Sequence, residues 1–279
     1  MNEAAHAPAD PPTVPSMAPL WVVVPAYNEA AGIEATLAAL AGQAGPGSGV
    51  TVLVVDNAST DATAAVVTAF AAAHPAMDLR LVHEPEKGTG SAADTGFRYA
   101  IAAGATLLAR TDADCLPAPD WAQAARRAFA DGLELVAGRL LPRTDEVPLK
   151  LWERWLLPAV VRAAALFGRL RPGNRGPGYL GPYMMAAGCN LAVTAELYVR
   201  AGGFPRAAIE DVHEDRELVN RVRRLSRAYG SRRDMVVRGS VRRLRAYGLV
   251  GTLAWYLDHS VRPQVVDVRS VGARDRVTR

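Results

Sequence analysis

Four short apolar runs divide the first part of this chain, at residues 20–24 (LWVVV), 50–55 (VTVLVV), 79–82 (LRLV) and 105–110 (ATLLAR). Strands that are apolar throughout, rather than alternating, are covered on both faces, which is the habit of parallel sheets. The segments between them carry helical spacing. Ile33, Leu37 and Leu40 mark a helix over 29–40, Ser59 or Thr60 caps a second that runs to about residue 73, and a third spans 92–103 after a glycine-rich turn at 87–90. The order β-α-β-α-β-α-β predicts an α/β fold, a mainly parallel sheet with helices on both faces. Ligands of such sheets bind at the carboxyl ends of the strands. Polar residues gather at those ends: Tyr27 and Glu29, Asp56 and Asn57, Lys87 and Gly88, then Asp112 and Asp114.

The last pair carries the most chemistry. Two carboxylates one residue apart, just past a buried strand, offer hard oxygen ligands to a divalent cation and leave it room for diphosphate oxygens. The alternative is an ordinary turn, since Pro117 and Pro119 follow. Tyr27 can stack on a planar base, Glu29 can accept from ribose or base, and Asp56 can accept from a base N–H. Each of these residues can equally be a turn or a helix cap. Lys87-Gly88-Thr89-Gly90 suits a phosphate or sugar. It lacks P-loop spacing, and no GxGxxG follows the first strand, which disfavours an NTPase or a dinucleotide fold.

Further along, helical spacing returns at 121–130 and a strand pattern at 133–139. Residues 149–170 interleave Trp152, Trp155 and Phe167 with Lys150, Arg154, Arg162 and Arg169, a texture that fits lipid contact or a helical pair over the cleft. Residues 171–181 read as a mobile lid. The chain has 279 residues, half of them hydrophobic, and a net charge of +4 whose arginines concentrate over 216–245. Such a stretch can face nucleic acid, anionic lipid or a phosphorylated small molecule, or form a solvated helix face. No nucleic-acid motif accompanies it, and nucleic acid is not expected as a partner. Cys115 and Cys189 form no zinc pattern and are expected as buried free thiols of a reducing compartment. With neither a signal-peptide pattern nor a spanning run, the expected location is cytoplasmic, at most peripheral to a membrane.

Pro25-Ala26-Tyr27-Asn28-Glu29, Val54-Val55-Asp56-Asn57-Ala58-Ser59-Thr60-Asp61, Lys87-Gly88-Thr89-Gly90 and Asp112-Ala113-Asp114, in this order and spacing, resemble the family 2 glycosyltransferases with a GT-A fold. Gly188-Cys189-Asn190-Leu191-Ala192-Val193 with Gly202-Gly203-Phe204, and Glu214-Asp215-Arg216-Glu217-Leu218 with Arg221, resemble the acceptor-side strand and the Glu-Asp motif of that family. The resemblance covers about residues 20–230. It implies a GT-A domain over 19–260 with a nucleotide-binding half to residue 120 and an acceptor half beyond; residues 1–18, proline- and alanine-rich, are expected as a disordered leader and 261–279 as a basic tail.

It also implies roles. Tyr27, Glu29 and Asp56 hold the nucleoside, and Lys87 lies near the ribose or diphosphate. Asp112 contacts ribose or sugar, and Asp114 ligates Mg²⁺ or Mn²⁺. Pro25, Gly88 and Ala113 complete the nucleotide-sugar-binding set, and Arg242 or Arg243 reaches the diphosphate. Asp215, with Glu214 beside it, is the general base of an inverting transfer; the pair Glu210-Asp211, four residues earlier, is the competing candidate. His259 is a possible further metal ligand or a structural histidine. Processive members carry Gln-x-x-Arg-Trp where this chain has Ser240-Val241-Arg242-Arg243, which favours single addition. The expected donor is a nucleotide-diphosphate sugar, with UDP favoured by family habit. The acceptor is left open between a lipid-linked or amphipathic molecule, a soluble sugar and a small metabolite. The competing readings are a non-catalytic nucleotide-sugar-binding protein and a sugar-1-phosphate nucleotidyltransferase, which should open with a glycine-rich basic loop after the first strand.

Overall fold

A computed structural model describes residues 18–45, 47–145, 166, 168–206 and 214–242. Among these residues one sheet runs through strands β1 (Leu20–Ala26), β2 (Val50–Asp56), β3 (Leu79–His83), β4 (Leu107–Arg110), β5 (Leu116–Pro117), β6 (Leu135–Pro142), β7 (Leu191–Thr194) and β8 (Tyr229–Gly239). The spatial order is β3-β2-β1-β4-β7-β6-β8-β5. The first four strands pair in parallel, so their carboxyl ends share one rim, as the apolar runs predict. β7 enters antiparallel between β4 and β6, and β8 returns parallel to β6. Helices α1 (Ile33–Ala41), α2 (Thr63–Ala73) and α4 (Trp121–Ala130) cover one face, around Leu20, Val22, Val52 and Val54. Helices α3 (Thr89–Ala102), α5 (Ala195–Arg200) and α6 (Glu214–Leu225) cover the other, around Val23, Leu53, Leu108 and Val193. The central strands β1, β2 and β4 alternate only between two buried faces, which is why their sequence shows no polar alternation.

Three details differ from the sequence expectations. β1 does not stop at Pro25 but runs on to Ala26. Val23 accepts from Thr111 on the β4 side and Ala26 accepts from Asn57 on the β2 side, so the missing N–H of Pro25 faces the β4 side, where β4 has already ended at Arg110. α1 starts at Ile33 rather than Glu29: Asn28 takes left-handed backbone, and the backbone N–H groups of Glu29 and Ala30 bond Thr63 Oγ1 and Asp61. Ser59 and Thr60 do not cap α2. They bond Asn28, while Asp61 Oδ1 accepts from the Thr63 backbone. The first two helices are thus tied together at the rim.

The arginine-rich stretch is not one helix face. It divides into α6 and β8. Arg223 is buried and bonds the carbonyls of Asn174 and Gly181, fixing the 171–181 loop, and Arg232 pairs with Asp131 and Asp234. Cys115 is buried, whereas Cys189 is only half-buried. Among the described residues no helix is long and apolar enough to cross a membrane.

Candidate functional site

One end of the rim is built where β1, β2 and β3 finish. Asn28 and Ala58 both take left-handed backbone (φ 52° and 55°), unusual for alanine and a local strain carried by the rim. Asn57 is buried and fully used. Its amide donates to the carbonyls of Glu84 (3.1 Å) and Glu86 (2.7 Å), and its Oδ1 accepts from Gly88 N (2.8 Å). This clamp sets the turn that carries Lys87, whose Nζ donates to the Tyr27 hydroxyl (3.3 Å) and lies 5.0 Å from the Tyr27 ring centroid. Gly88 has φ 148°, which L side chains rarely adopt, and α3 begins at once with Thr89 rather than at residue 92. A Cβ on Gly90 would collide with the Pro205 carbonyl, so the segment after α5 closes directly onto this turn. Pro25 is buried beneath the rim, and Asp56 lies beside His83, Nδ1 to Oδ2 3.3 Å.

The acid pair follows β4. Ala113 is buried and its carbonyl accepts from Thr36 of α1, which fixes the turn. Asp112 and Asp114 flank it, each about one-third exposed at the side chain (33% and 29%). Each meets an arginine. Arg110, buried to 1% exposure, donates Nε to Asp112 (3.1 Å) and both terminal nitrogens to Glu214 (3.3 Å each). Burial disfavours its charge, but Asp112, Glu214 and Asp215 outweigh that, so its pKa is raised further. Burial pushes Asp112 up, against the pull of Arg110. Arg242 Nη2 bonds Glu29 (2.9 and 3.0 Å) and Asp114 (2.9 Å), bridging the first strand end to the acid pair. Hydrogen bonds between charged groups contribute about 1.5–3 kcal/mol each. Arg242→Ala should therefore lower the unfolding free energy by about 2 kcal/mol, measured by urea denaturation. Arg242→Lys should recover only part of it, because the ammonium lacks the Nε bond to Ser240 Oγ that helps hold the guanidinium in place.

Asp215 stands at the start of α6, a terminus that favours acids. Its Oδ2 accepts from Gly188 N (3.2 Å) and its Oδ1 from Arg216 N (2.6 Å). Gly188 is held by Asn190, which is fully buried, takes Trp121 Nε1 on its Oδ1 (2.8 Å) and donates to the carbonyls of Arg139 and Met235. Burial first, and then the neighbouring charge of Glu214, push Asp215 up to about 6 against the opposing backbone N–H groups and Arg110. Part of its surface still meets solvent. Glu214 is buried and committed to Arg110, so of the two acids Asp215 alone is placed to take a proton.

The structure thus brings Tyr27, Glu29, Asp56, Lys87, Asp112, Asp114, Asp215 and Arg242 to one rim. His259, Arg243, Glu210-Asp211 and Trp152 and Trp155 lie outside the described residues. Two site residues escape the sequence reading. Arg110 reads as the polar end of a strand, although a cation two residues before an acid, closing an apolar run, was a usable signal. His83 closes β3 in register with Asp56, a relation visible only once the strands are paired.

A family model described as Glycosyl transferase family 2 matches residues 21–184, more than half of the chain. The chain belongs to glycosyl transferase family 2. The Gly188, Gly202 and Glu214 segments of this family 2 domain lie beyond the matched range. Glycosyltransferase AglE of Haloferax volcanii is 33% identical over 120 residues, 43% of this chain and 38% of that protein. The chain therefore spans well under half the length of that curated relative. The mannosyltransferase PcManGT from Pyrobaculum calidifontis, solved with GDP-Man and Mn²⁺, is similar over 90% of this chain and 66% of its own, at 27% identity and a TM-score of 0.60. Glucosyl-3-phosphoglycerate synthase from Mycobacterium tuberculosis, solved with Mn²⁺, UDP and glucosyl-3-phosphoglycerate, shares the fold at 22% identity and a TM-score of 0.51, over 85% of this chain and 78% of its own. The family 2 domain has a GT-A fold, a mixed and mostly parallel sheet with helices on both faces.

Proposed function

We propose that this family 2 domain is an inverting glycosyltransferase that moves a sugar, a hexose in our reading, from a nucleotide-diphosphate donor to an acceptor hydroxyl, one addition at a time. The observation that carries the reading is Asp215. It is a carboxylate tuned to about 6, held by two backbone N–H groups and joined through Arg110 and Glu214 to the acid pair after β4. A base matched to near-neutral pH takes the acceptor proton as the hydroxyl attacks the anomeric carbon, and attack opposite the departing diphosphate inverts that centre. Tyr27, Glu29 and Asp56 hold the nucleoside, Lys87 and Gly88 the ribose or first phosphate. Arg242 turns from Asp114 to the diphosphate when the donor arrives. Ser240-Val241-Arg242-Arg243, where processive enzymes have Gln-x-x-Arg-Trp, supports single addition.

The residues fit a divalent cation, Mn²⁺ or Mg²⁺. Among the described residues no three His, Cys, Asp or Glu side chains gather into a complete cage. Asp114, with Asp112 beside it, offers one or two partly exposed carboxylates, the usual protein share when substrate phosphates supply the other ligands. Such a cation, when bound, neutralises charge on the diphosphate. UDP is the favoured carrier, and the two solved neighbours carry GDP-Man and UDP respectively.

Thermal unfolding with UDP, GDP, dTDP and their common sugars, each with Mn²⁺ or with EDTA, tests this. A ligand at a hundred times its dissociation constant adds about 2.7 kcal/mol of stability. One nucleotide should stabilise the protein only with Mn²⁺, and Asp114→Ala should abolish the metal-dependent part. Equal stabilisation in EDTA removes the cation from the reading. No stabilisation by any nucleotide removes the donor site.

A further inference from the structure

We propose that His83 is a specificity residue of the nucleoside site and, together with Asp56, selects a base whose ring N–H adjoins a carbonyl, the edge shared by uracil, thymine and guanine. The inference rests on the donor-binding reading above and concerns which base that site takes. The sheet builds the pair. Asp56 and His83 are register partners at the ends of β2 and β3, and Ala26, in register with Asp56 on its other side, leads into Tyr27. Neighbouring strands lie about 4.8 Å apart, so the three strand ends span about 10 Å, enough for one base. Tyr27 offers a ring to stack on, and Asp56 and His83 offer the polar edge.

The Asp56 side chain is only 10% exposed, and its Oδ1 is buried with no hydrogen-bond partner among the described residues. A buried carboxylate oxygen without a donor is costly, and a ligand N–H supplies what the protein withholds. The carboxylate can turn to meet it, because the terminal torsion of Asp is soft. Oδ2 is held by His83 Nδ1 at 3.3 Å, a long bond to a ring that is 60% exposed and free to swing. When a uracil-type edge arrives, its ring N–H replaces His83 on the Asp56 carboxylate. The Nδ1–H of His83 then swings to the adjacent base carbonyl. The long His83 bond to Oδ2 is exchanged for one to the base carbonyl, and the base N–H adds a bond to a carboxylate whose Oδ1 otherwise has no partner among the described residues. Cytosine has nearly the same shape, but turns a lone pair and an amino group to this edge. The lone pair faces a carboxylate and His83 finds no acceptor. Adenine fails against guanine for the same reason. The preference thus follows from an acceptor set beside a donor, whatever the size of the base.

Calorimetric titration of the whole chain with UDP against CDP, and GDP against ADP, all with Mn²⁺, tests the proposal in the parent, His83→Ala and His83→Gln. The parent should prefer UDP to CDP, or GDP to ADP. His83→Ala should weaken the preferred nucleotide by about two- to three-fold, what exchanging a long hydrogen bond for one of normal length returns, and leave its amino-edged counterpart unchanged. His83→Gln, whose amide donates, should recover most of the loss. An unchanged ratio in His83→Ala, or an equal loss for both members of a pair, overturns the role of His83. Failure of the parent to bind any nucleotide overturns the donor-binding reading instead, and shows itself before any substitution is made.

Discussion

Asp215→Asn is expected to lower sugar transfer by about 10²–10⁴-fold while leaving nucleotide affinity unchanged. The argument is local. Asp215 touches Gly188 N and Arg216 N and lies on α6, away from the Tyr27, Asp56 and Lys87 end of the rim, which we propose holds the nucleoside. Transfer by the parent should rise with pH through about 6 as the carboxylate ionises, and this limb should be missing from the residual activity of the variant. Stability should move the other way. The folded-state pKa lies above the ordinary carboxylate value, so the folded form holds its proton more tightly than the unfolded chain. The charge therefore costs stability above about pH 6, and the cost vanishes below the unfolded pKa. Asparagine removes the charge but keeps only part of the hydrogen bonding. At pH 8 the variant should be more stable by on the order of 1–2 kcal/mol, and at pH 4 the difference should close. Asp211→Asn is the control. If it abolishes transfer and Asp215→Asn does not, the base has been misassigned.

Much of the architecture was legible because burial on both sheet faces leaves a plain mark. Val22 and Val23, or Leu53 and Val54, point to opposite cores and are both apolar, and that announces a parallel sheet with helices on each side. The rim was legible for a related reason. Polar residues that interrupt such runs must stand at their ends, so Tyr27, Asp56, Lys87 and the acid pair could be placed together before their contacts were known. Helix starts were less legible. Ser59 and Thr60 look like caps, yet Asn28, more than thirty residues away, claims their hydroxyls and the Thr60 N–H. β8 was hidden by composition. Only Met235 and Val237 of its eleven residues are buried, and its arginines resemble an exposed helix until Asp131 and Asp234 are seen to meet Arg232.

Arg110 shows where a sequence reading stops, and its replacement should produce the largest loss of stability in the site. Arg110→Met preserves much of the side-chain volume and removes the cation that faces Asp112 and Glu214. Removing one partner of a buried ion pair leaves the other uncompensated, at a cost of about 3–5 kcal/mol. Here three acids, Asp112, Glu214 and Asp215, act on the one cation, and Gly188 leaves room for it: a Cβ there would stand 3.0 Å from the Arg110 Cζ. Urea denaturation at pH 8 should show the loss in full. It should shrink as the pH falls towards 5, because protons can neutralise the acids that Arg110 no longer balances. Arg110→Met with Glu214→Gln should recover part of it by removing one of the stranded charges. A loss below about 1 kcal/mol, or one that grows on acidification, would show that the acids are stabilised by other means. Transfer should suffer beyond the loss of fold, since Arg110 alone among the described residues bonds both the acid pair after β4 and the start of α6. Without it Asp112 and the start of α6 lose the tie that, in the proposed function, sets donor and base in register. Its neighbours can mark the cation but not its partner Glu214, which lies 104 positions along the chain, and the two meet only when the sheet has closed.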